Sequence, residues 1–141
     1  MDQLRLLGSA GWIFLLLGME KEFLRMILPE GLLDHFDITG IDKGTESDGK
    51  PFLRVHLTEK NDLRDVGDPK QYESKGFHKS KTLTDFPIRG QFVYLEIKRR
   101  RWRHKKDPRR IVSNDYSLLA KGTKLTRELS DFLKDTRGVA Q

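Results

Sequence analysis

Between Glu20 and Leu28 the apolar residues Phe23, Leu24, Ile27 and Leu28 fall at helical spacing and form one stripe. Pro29 and Gly31 interrupt it, and Leu32-Leu33-Asp34-His35-Phe36 predicts one or two further helical turns. The period then shortens to two. Gly40, Gly44, Ser47, Gly49 and Pro51 mark a loop between two short strands. In the second strand Leu53, Val55 and Leu57 alternate with Arg54, His56 and Thr58. Asn61 to Pro69 is polar and punctuated, so it reads as a loop, and two extended pieces follow around Tyr72–Phe77 and Thr82–Phe86.

Asp85-Phe86-Pro87-Ile88-Arg89-Gly90 carries proline and glycine where turn chemistry wants them. It launches the longest predicted strand, from Gln91 to about His104. Val93, Leu95 and Ile97 line one face of that strand, and Arg99, Arg101 and Arg103 continue the row. Phe92, Tyr94, Glu96, Lys98, Arg100 and Trp102 take the other face. The pattern predicts a strand whose first half is anchored in the core while its second half projects as a basic arm. Asp107-Pro108 offers a turn, and Ile111-Val112-Ser113 offers a returning partner. Thr126 is a good N-cap for a helix carrying Leu129, Phe132 and Leu133 and ended by Arg137-Gly138. There is no internal repeat. The reading is α+β: a small antiparallel β-sheet with a projecting basic β-hairpin, flanked by an N-terminal and a C-terminal helix.

Charge changes this picture most. In the thirteen residues from Lys98 to Arg110, nine are Lys or Arg and only Asp107 is acidic, a formal +8. The whole chain, with 27 bases and 21 acids, is only +6, so everything outside the run is slightly acidic. Basicity focused on one short segment is the electrostatic footprint of a polyanion-binding surface. Blocks of like charge are also often solvated, disordered tracts. An apolar strand feeding the run, and Trp102 interleaved among its arginines, favour an ordered nucleic-acid-binding element. Arg89, Lys98, Arg99, Arg100, Arg101, Trp102, Arg103, His104, Lys105, Lys106, Arg109 and Arg110 are the candidate DNA contacts. Trp102 has two readings, a groove or stacking contact or a core or cross-strand residue. The same basic surface suits two alternative roles: a protein-docking module whose arginines meet carboxylates, or an RNA-binding module.

Length and composition permit one domain with appendages, with 36% hydrophobic and 34% charged residues making a lean core under a heavily charged surface. There is no cysteine, which excludes disulfides, thiol nucleophiles and thiolate zinc sites. Leu6 to Met19 is uncharged and apolar, but fourteen residues fall short of the ~20 that span a bilayer as a helix. A signal-peptide reading lacks the small-x-small cleavage site. Met19-Glu20-Lys21-Glu22 suits an acidic helix start, so residues 1–18 read as an apolar extension or misassigned start, with a weak membrane or export segment as the other reading. The expected organisation is residues 1–18, one domain over 19–137, and a tail over 138–141, in a cytoplasmic protein with no membrane partner.

Catalytic chemistry is not visible. Gly44-Thr45-Glu46-Ser47-Asp48-Gly49-Lys50-Pro51 approximates a phosphate-binding loop, but Pro51 stands where a hydroxyl must reach Mg²⁺, and Glu46 and Asp48 would repel phosphates. It reads as a hairpin loop. His35, His56, His78 and His104 show no paired metal-ligand spacing, and no carboxylate pair or nucleophile elbow stands out. Neither metal nor cofactor is expected.

Five words occur in order: Leu28-Pro29-Glu30-Gly31-Leu32-Leu33-Asp34, Ser74-Lys75-Gly76-Phe77, Asp85-Phe86-Pro87-Ile88-Arg89-Gly90, Lys98-Arg99-Arg100-Arg101-Trp102 and Leu119-Ala120-Lys121-Gly122-Thr123. From about Met19 to Leu133 the chain thereby resembles the N-terminal-region protein of a bacterial insertion-sequence transposase of the ISAon type. The layout is similar to the N-terminal zinc ribbon of related DDE transposases, but the knuckle positions near Thr58–Asn61 and His104–Asp107 hold no cysteine. The resemblance implies a DNA-binding accessory portion that recognises transposon ends, with a sheet held by apolar packing in place of zinc. Its partners would be double-stranded DNA and a catalytic DDE subunit on a separate or downstream polypeptide, and its place the nucleoid.

Overall fold

A computed structural model describes residues 22–121 and 125–135. The extension over 1–18, the tail over 138–141 and the expected helix stop at Arg137-Gly138 lie outside the described residues.

Residues 22–27 form α1, Leu32–His35 α2, Ser117–Lys121 α3 and Arg127–Lys134 α4. The strands are β1 (Phe36–Thr45), β2 (Pro51–Glu59), β3 (Tyr72–Phe77), β4 (Lys81–Ile88), β5 (Gln91–Lys98), β6 (Arg100–His104) and β7 (Ile111–Val112). They make two sheets, one ordered β1-β2-β5-β4 and the other β3-β6-β7. The α+β architecture is as expected, with two differences. There are two sheets, and β2 and β5 at the centre of the larger one run parallel, Leu53 opposite Val93 through Leu57 opposite Ile97. A parallel neighbour requires a crossover; here the segment between β2 and β5 supplies β3 and β4.

Pairing brings the inward rows into register. Val55 and Leu57 of β2, Leu83 of β4, and Val93, Leu95 and Ile97 of β5 face α1, α3 and α4 in one buried core. Thr126 caps α4, its Oγ1 accepting from the Leu129 N–H at 3.4 Å, as its position predicts. The same hydroxyl donates to the Thr84 carbonyl at 3.0 Å, while Glu128 accepts from the Thr84 N–H at 2.6 Å. These bonds satisfy part of edge strand β4, which would otherwise present unpaired groups. The described helix runs to Lys134, with Asp135 as its C-cap.

Pro87 lies within β4, at an irregularity between Asp85 and Ile88, so the turn is tighter than expected. Ile88 pairs with Gln91, leaving Arg89 and Gly90 at φ 48° and 78° as a two-residue connection. The decoy phosphate loop is the β1–β2 turn, closed by Glu46 N–H to the Lys50 carbonyl at 2.7 Å. Helix α3 has no counterpart among the predicted elements. Asp115 starts it, its Oδ1 accepting from the Ser117 N–H at 2.9 Å and the Ser117 hydroxyl at 2.6 Å.

Candidate nucleic-acid interface

The long predicted strand is two strands in two sheets. β5 ends at Lys98, β6 begins at Arg100, and Arg99 stands between them. The Arg99 carbonyl accepts from the His78 N–H at 2.8 Å, whereas the Arg100 N–H leaves the ladder and donates to Glu59 Oε1 at 2.7 Å. Across this handover the buried positions change from odd to even, because the second sheet packs its core on the other face. Val93, Leu95, Ile97 and Arg99 are buried as one row; beyond the junction Trp102 is the buried residue. Arg101 and Arg103 therefore do not continue the core row, which corrects the projecting-arm expectation.

Two candidate contacts are interior. Arg99 is 7% exposed; its Nη1 donates to the Asp135 carbonyl at 2.9 Å, and its Nη2 to the Asn114 carbonyl. Its guanidinium also lies against the Tyr116 and Phe132 rings. Trp102 is 2% exposed and packs with Leu63, Val66, Tyr72 and Val112 in a second small core, its indole N–H donating to Asn61 at 3.1 Å. Arg100 is half-buried. It donates to the Glu59 carbonyl and to Ser74 Oγ and sits 4.6 Å from the Phe77 ring centroid. Of the two open readings of Trp102, the core residue is the one found.

A feature the charge reading missed organises this junction. Glu59, 1% exposed, accepts from the Tyr116 hydroxyl, from Asn114 Nδ2 at 3.0 Å and from the Arg100 N–H. Burial raises its carboxyl pKa, opposed by those hydrogen bonds and by the charge of Arg99. The Tyr116 hydroxyl is pushed up by burial and by the Glu59 charge, so it stays a donor. The signal lay in the rows. Val55-Leu57-Glu59 and Val93-Leu95-Ile97-Arg99 are inward rows that each end in a charge, and parallel pairing brings those ends level.

The remaining bases form a surface. β6 and β7 pair through Trp102 opposite Val112 and Arg103 opposite Ile111, so the expected hairpin exists, but it is braced by β3 on its other side. Its tip, Lys105 to Arg110, is tied down by backbone bonds. The His104 N–H donates to the Arg110 carbonyl at 3.0 Å, the Lys105 N–H to the Gln71 carbonyl at 2.8 Å, and the Arg110 N–H to the Asp107 carbonyl at 3.0 Å. His104 Nδ1 accepts from the N–H groups of Lys106 (3.1 Å) and Asp107 (3.2 Å), and its ring meets Tyr72 edge-on at 5.1 Å. His104 is thus a turn-former, spent at Nδ1. Asp107, the one acid in the tip, is likewise engaged, accepting from the Arg109 N–H at 3.2 Å.

Lys105, Lys106, Arg109 and Arg110 are exposed, Arg110 with its guanidinium 5.8 Å from the Tyr72 ring. On the sheet face turned away from Trp102 lie the half-buried Arg101 and Arg103. Arg103 pairs with Glu73 at 2.8 Å, and the Glu73 carboxyl is held low by that bond and by the charges of Arg103, Lys75 and Lys105. The tip and one sheet face thus present six bases of the run beside two acids, Asp107 in the tip and Glu73, which is paired with Arg103. Lys98 lies on the opposite face of β5 from the helices, beside Thr58. Arg89 sits at the far end of β5, lining an apolar cleft with Phe23 and Ile88, and does not join this surface.

Among the described residues no group of three or more His, Asp or Glu side chains is arranged to hold a metal ion, and no helix is long and apolar enough to cross a membrane. No protein-family model, curated protein or solved structure matches the chain.

Proposed function

We propose that this chain binds duplex DNA through the β6–β7 tip and the adjoining face of the β3-β6-β7 sheet. In this reading it is the DNA-binding N-terminal portion of an insertion-sequence transposase, acting at the nucleoid, with cutting and joining carried out by a separate DDE region. The observation that carries the binding role is the tip itself. Four exposed bases occupy a six-residue connection whose backbone is tied down at both ends, so little backbone entropy is lost on contact with phosphates. Phosphate contacts of this kind position a protein on DNA and dominate its affinity. The transposase setting rests on the five ordered sequence words alone.

The test is a salt titration of binding to a mixed-sequence duplex. If Arg101, Lys105, Lys106, Arg109 and Arg110 each meet a phosphate, log K against log salt should fall with a slope of about −4 to −5, at ~0.9 per contact. Replacing Lys105, Lys106 and Arg109 together by Gln should flatten the slope by about 2 to 3 and weaken all duplexes alike, at unchanged melting temperature. Binding that is flat across a fourfold salt change, or unaltered in the triple variant, removes the proposal.

A further inference from the structure

A cleft of about 410 Å³ opens beside the β5–β6 junction, and the DNA-contact reading does not use it. Its walls carry His78, Lys79, Lys81 and Arg99, with Ile97 and Phe132 as apolar lining and Asp135 as the one acid. Asp135 reaches Lys81 at 4.0 Å. The charge of Arg99 is unusually placed. Both Nη contacts go to carbonyl oxygens, which carry no net charge, and among the described residues its buried Nε has no hydrogen-bond partner. The nearby Glu59 carboxylate is taken up by Tyr116, Asn114 and the Arg100 N–H. His78 Nε2 lies 2.8 Å from Ser113 Oγ. Its pKa is lowered, first by burial and then by the charges of Arg99 and Arg101, with Asp135 opposing. Among the described residues Arg99 makes no ion pair within 4 Å, and a buried guanidinium held only by carbonyl oxygens gains from an anion brought beside it.

We propose that this cleft binds a nucleotide phosphate, with Arg99, Lys79 and Lys81 facing the anion and Phe132 and Ile97 against the organic body. One fixed guanidinium with two exposed lysines at the rim suits a phosphate better than a single carboxylate. The volume falls within the ~300–1,000 Å³ typical of small-molecule sites. The nucleotide comes either from a nucleic-acid strand or from a free mononucleotide. The strand source rests on the DNA reading above; the free source does not.

The experiment follows the His78 ring and the backbone amides of His78–Lys81 and Phe132–Asp135 by NMR at constant ionic strength. Thymidine 5′-monophosphate should give saturable shifts there and raise the His78 titration midpoint, because a bound anion favours the imidazolium. Thymidine without phosphate, and chloride, should give neither. The double variant Lys79→Gln/Lys81→Gln, which spares buried Arg99 and hence the fold, should weaken the mononucleotide about tenfold, because two solvent-screened ammonium groups no longer face the phosphate. Shifts that chloride reproduces, or affinity unchanged in the double variant, overturn the site. A short duplex that moves the same signals, and less so in the double variant, identifies the strand source; silence toward duplex with a response to the mononucleotide identifies the free one. Tip-dependent DNA binding with no response to either ligand at the cleft defeats this proposal alone. Saturable mononucleotide binding without salt-dependent DNA affinity defeats the DNA reading alone.

Discussion

Replacing Glu59 by Ala removes the one acceptor shared by β2, the β5–β6 junction and the segment leading into α3. Three donors lose their partner at once: the Tyr116 hydroxyl, one Asn114 amide hydrogen and the Arg100 N–H. An unsatisfied buried donor costs about 1–3 kcal/mol, so the gross loss is about 3–9 kcal/mol. Removing a desolvated carboxylate returns part of this, leaving a net loss of about 3–5 kcal/mol, the range for breaking a buried charged network from one side. Domains of this kind are stable by only ~5–15 kcal/mol. Urea unfolding followed by tryptophan fluorescence reads the effect through buried Trp102. At ~1–3 kcal/mol per molar urea, the midpoint should fall by more than about 1 M.

The pH dependence supplies a second, sign-specific check. Burial raises the folded-state pKa of Glu59 above its ordinary value, so the folded protein holds this proton more tightly than the unfolded chain. The corresponding stability is fully present below the unfolded glutamate pKa and is lost as pH rises through the folded one. The stability gap between wild type and Glu59→Ala should therefore be widest in acid and narrow toward neutrality, other groups cancelling in the difference. A Glu59→Ala protein within about 1 kcal/mol of wild type would refute the view of Glu59 as the junction's anchor. A gap that widens with pH would refute the burial-dominated account of its charge.

Trp102→Ala should cost about 3–5 kcal/mol, since the indole fills the second core; DNA affinity of the folded fraction should persist, and selective loss of affinity at full stability would restore the groove-contact role. Gly31 sits at φ 87°, where an added Cβ would come within 2.9 Å of Leu119 Cδ1. Gly31→Ala should accordingly lose about 1 kcal/mol or more in equilibrium unfolding, and a stabilised variant would show that the α2 start relaxes freely.

Strand alternation was legible along most of the chain because a half-buried sheet imposes its period on the sequence. Leu53-Val55-Leu57 and Val93-Leu95-Ile97 announced inward rows, Thr126 announced a cap, and Ile111-Val112 announced a return strand. Helix α3 escaped because its five residues are too few to show a helical period, and its start depends on Asp115 bonding locally to Ser117.

By itself, the sequence determined that basicity is concentrated between Lys98 and Arg110 and that a hairpin closes there, because charge and turn chemistry are local properties. It could not determine which of those bases meet solvent. That depended on the handover at Arg99, where the chain leaves one sheet for another and the buried positions change from odd to even. The second core lies on the even face of β6, which buries Trp102 and leaves Arg101 and Arg103 on the outer face. Only tertiary pairing could decide this, because the anchor of the junction, the buried carboxylate of Glu59, lies some forty residues away in the chain and meets Arg100 only once β2 and β5 lie side by side.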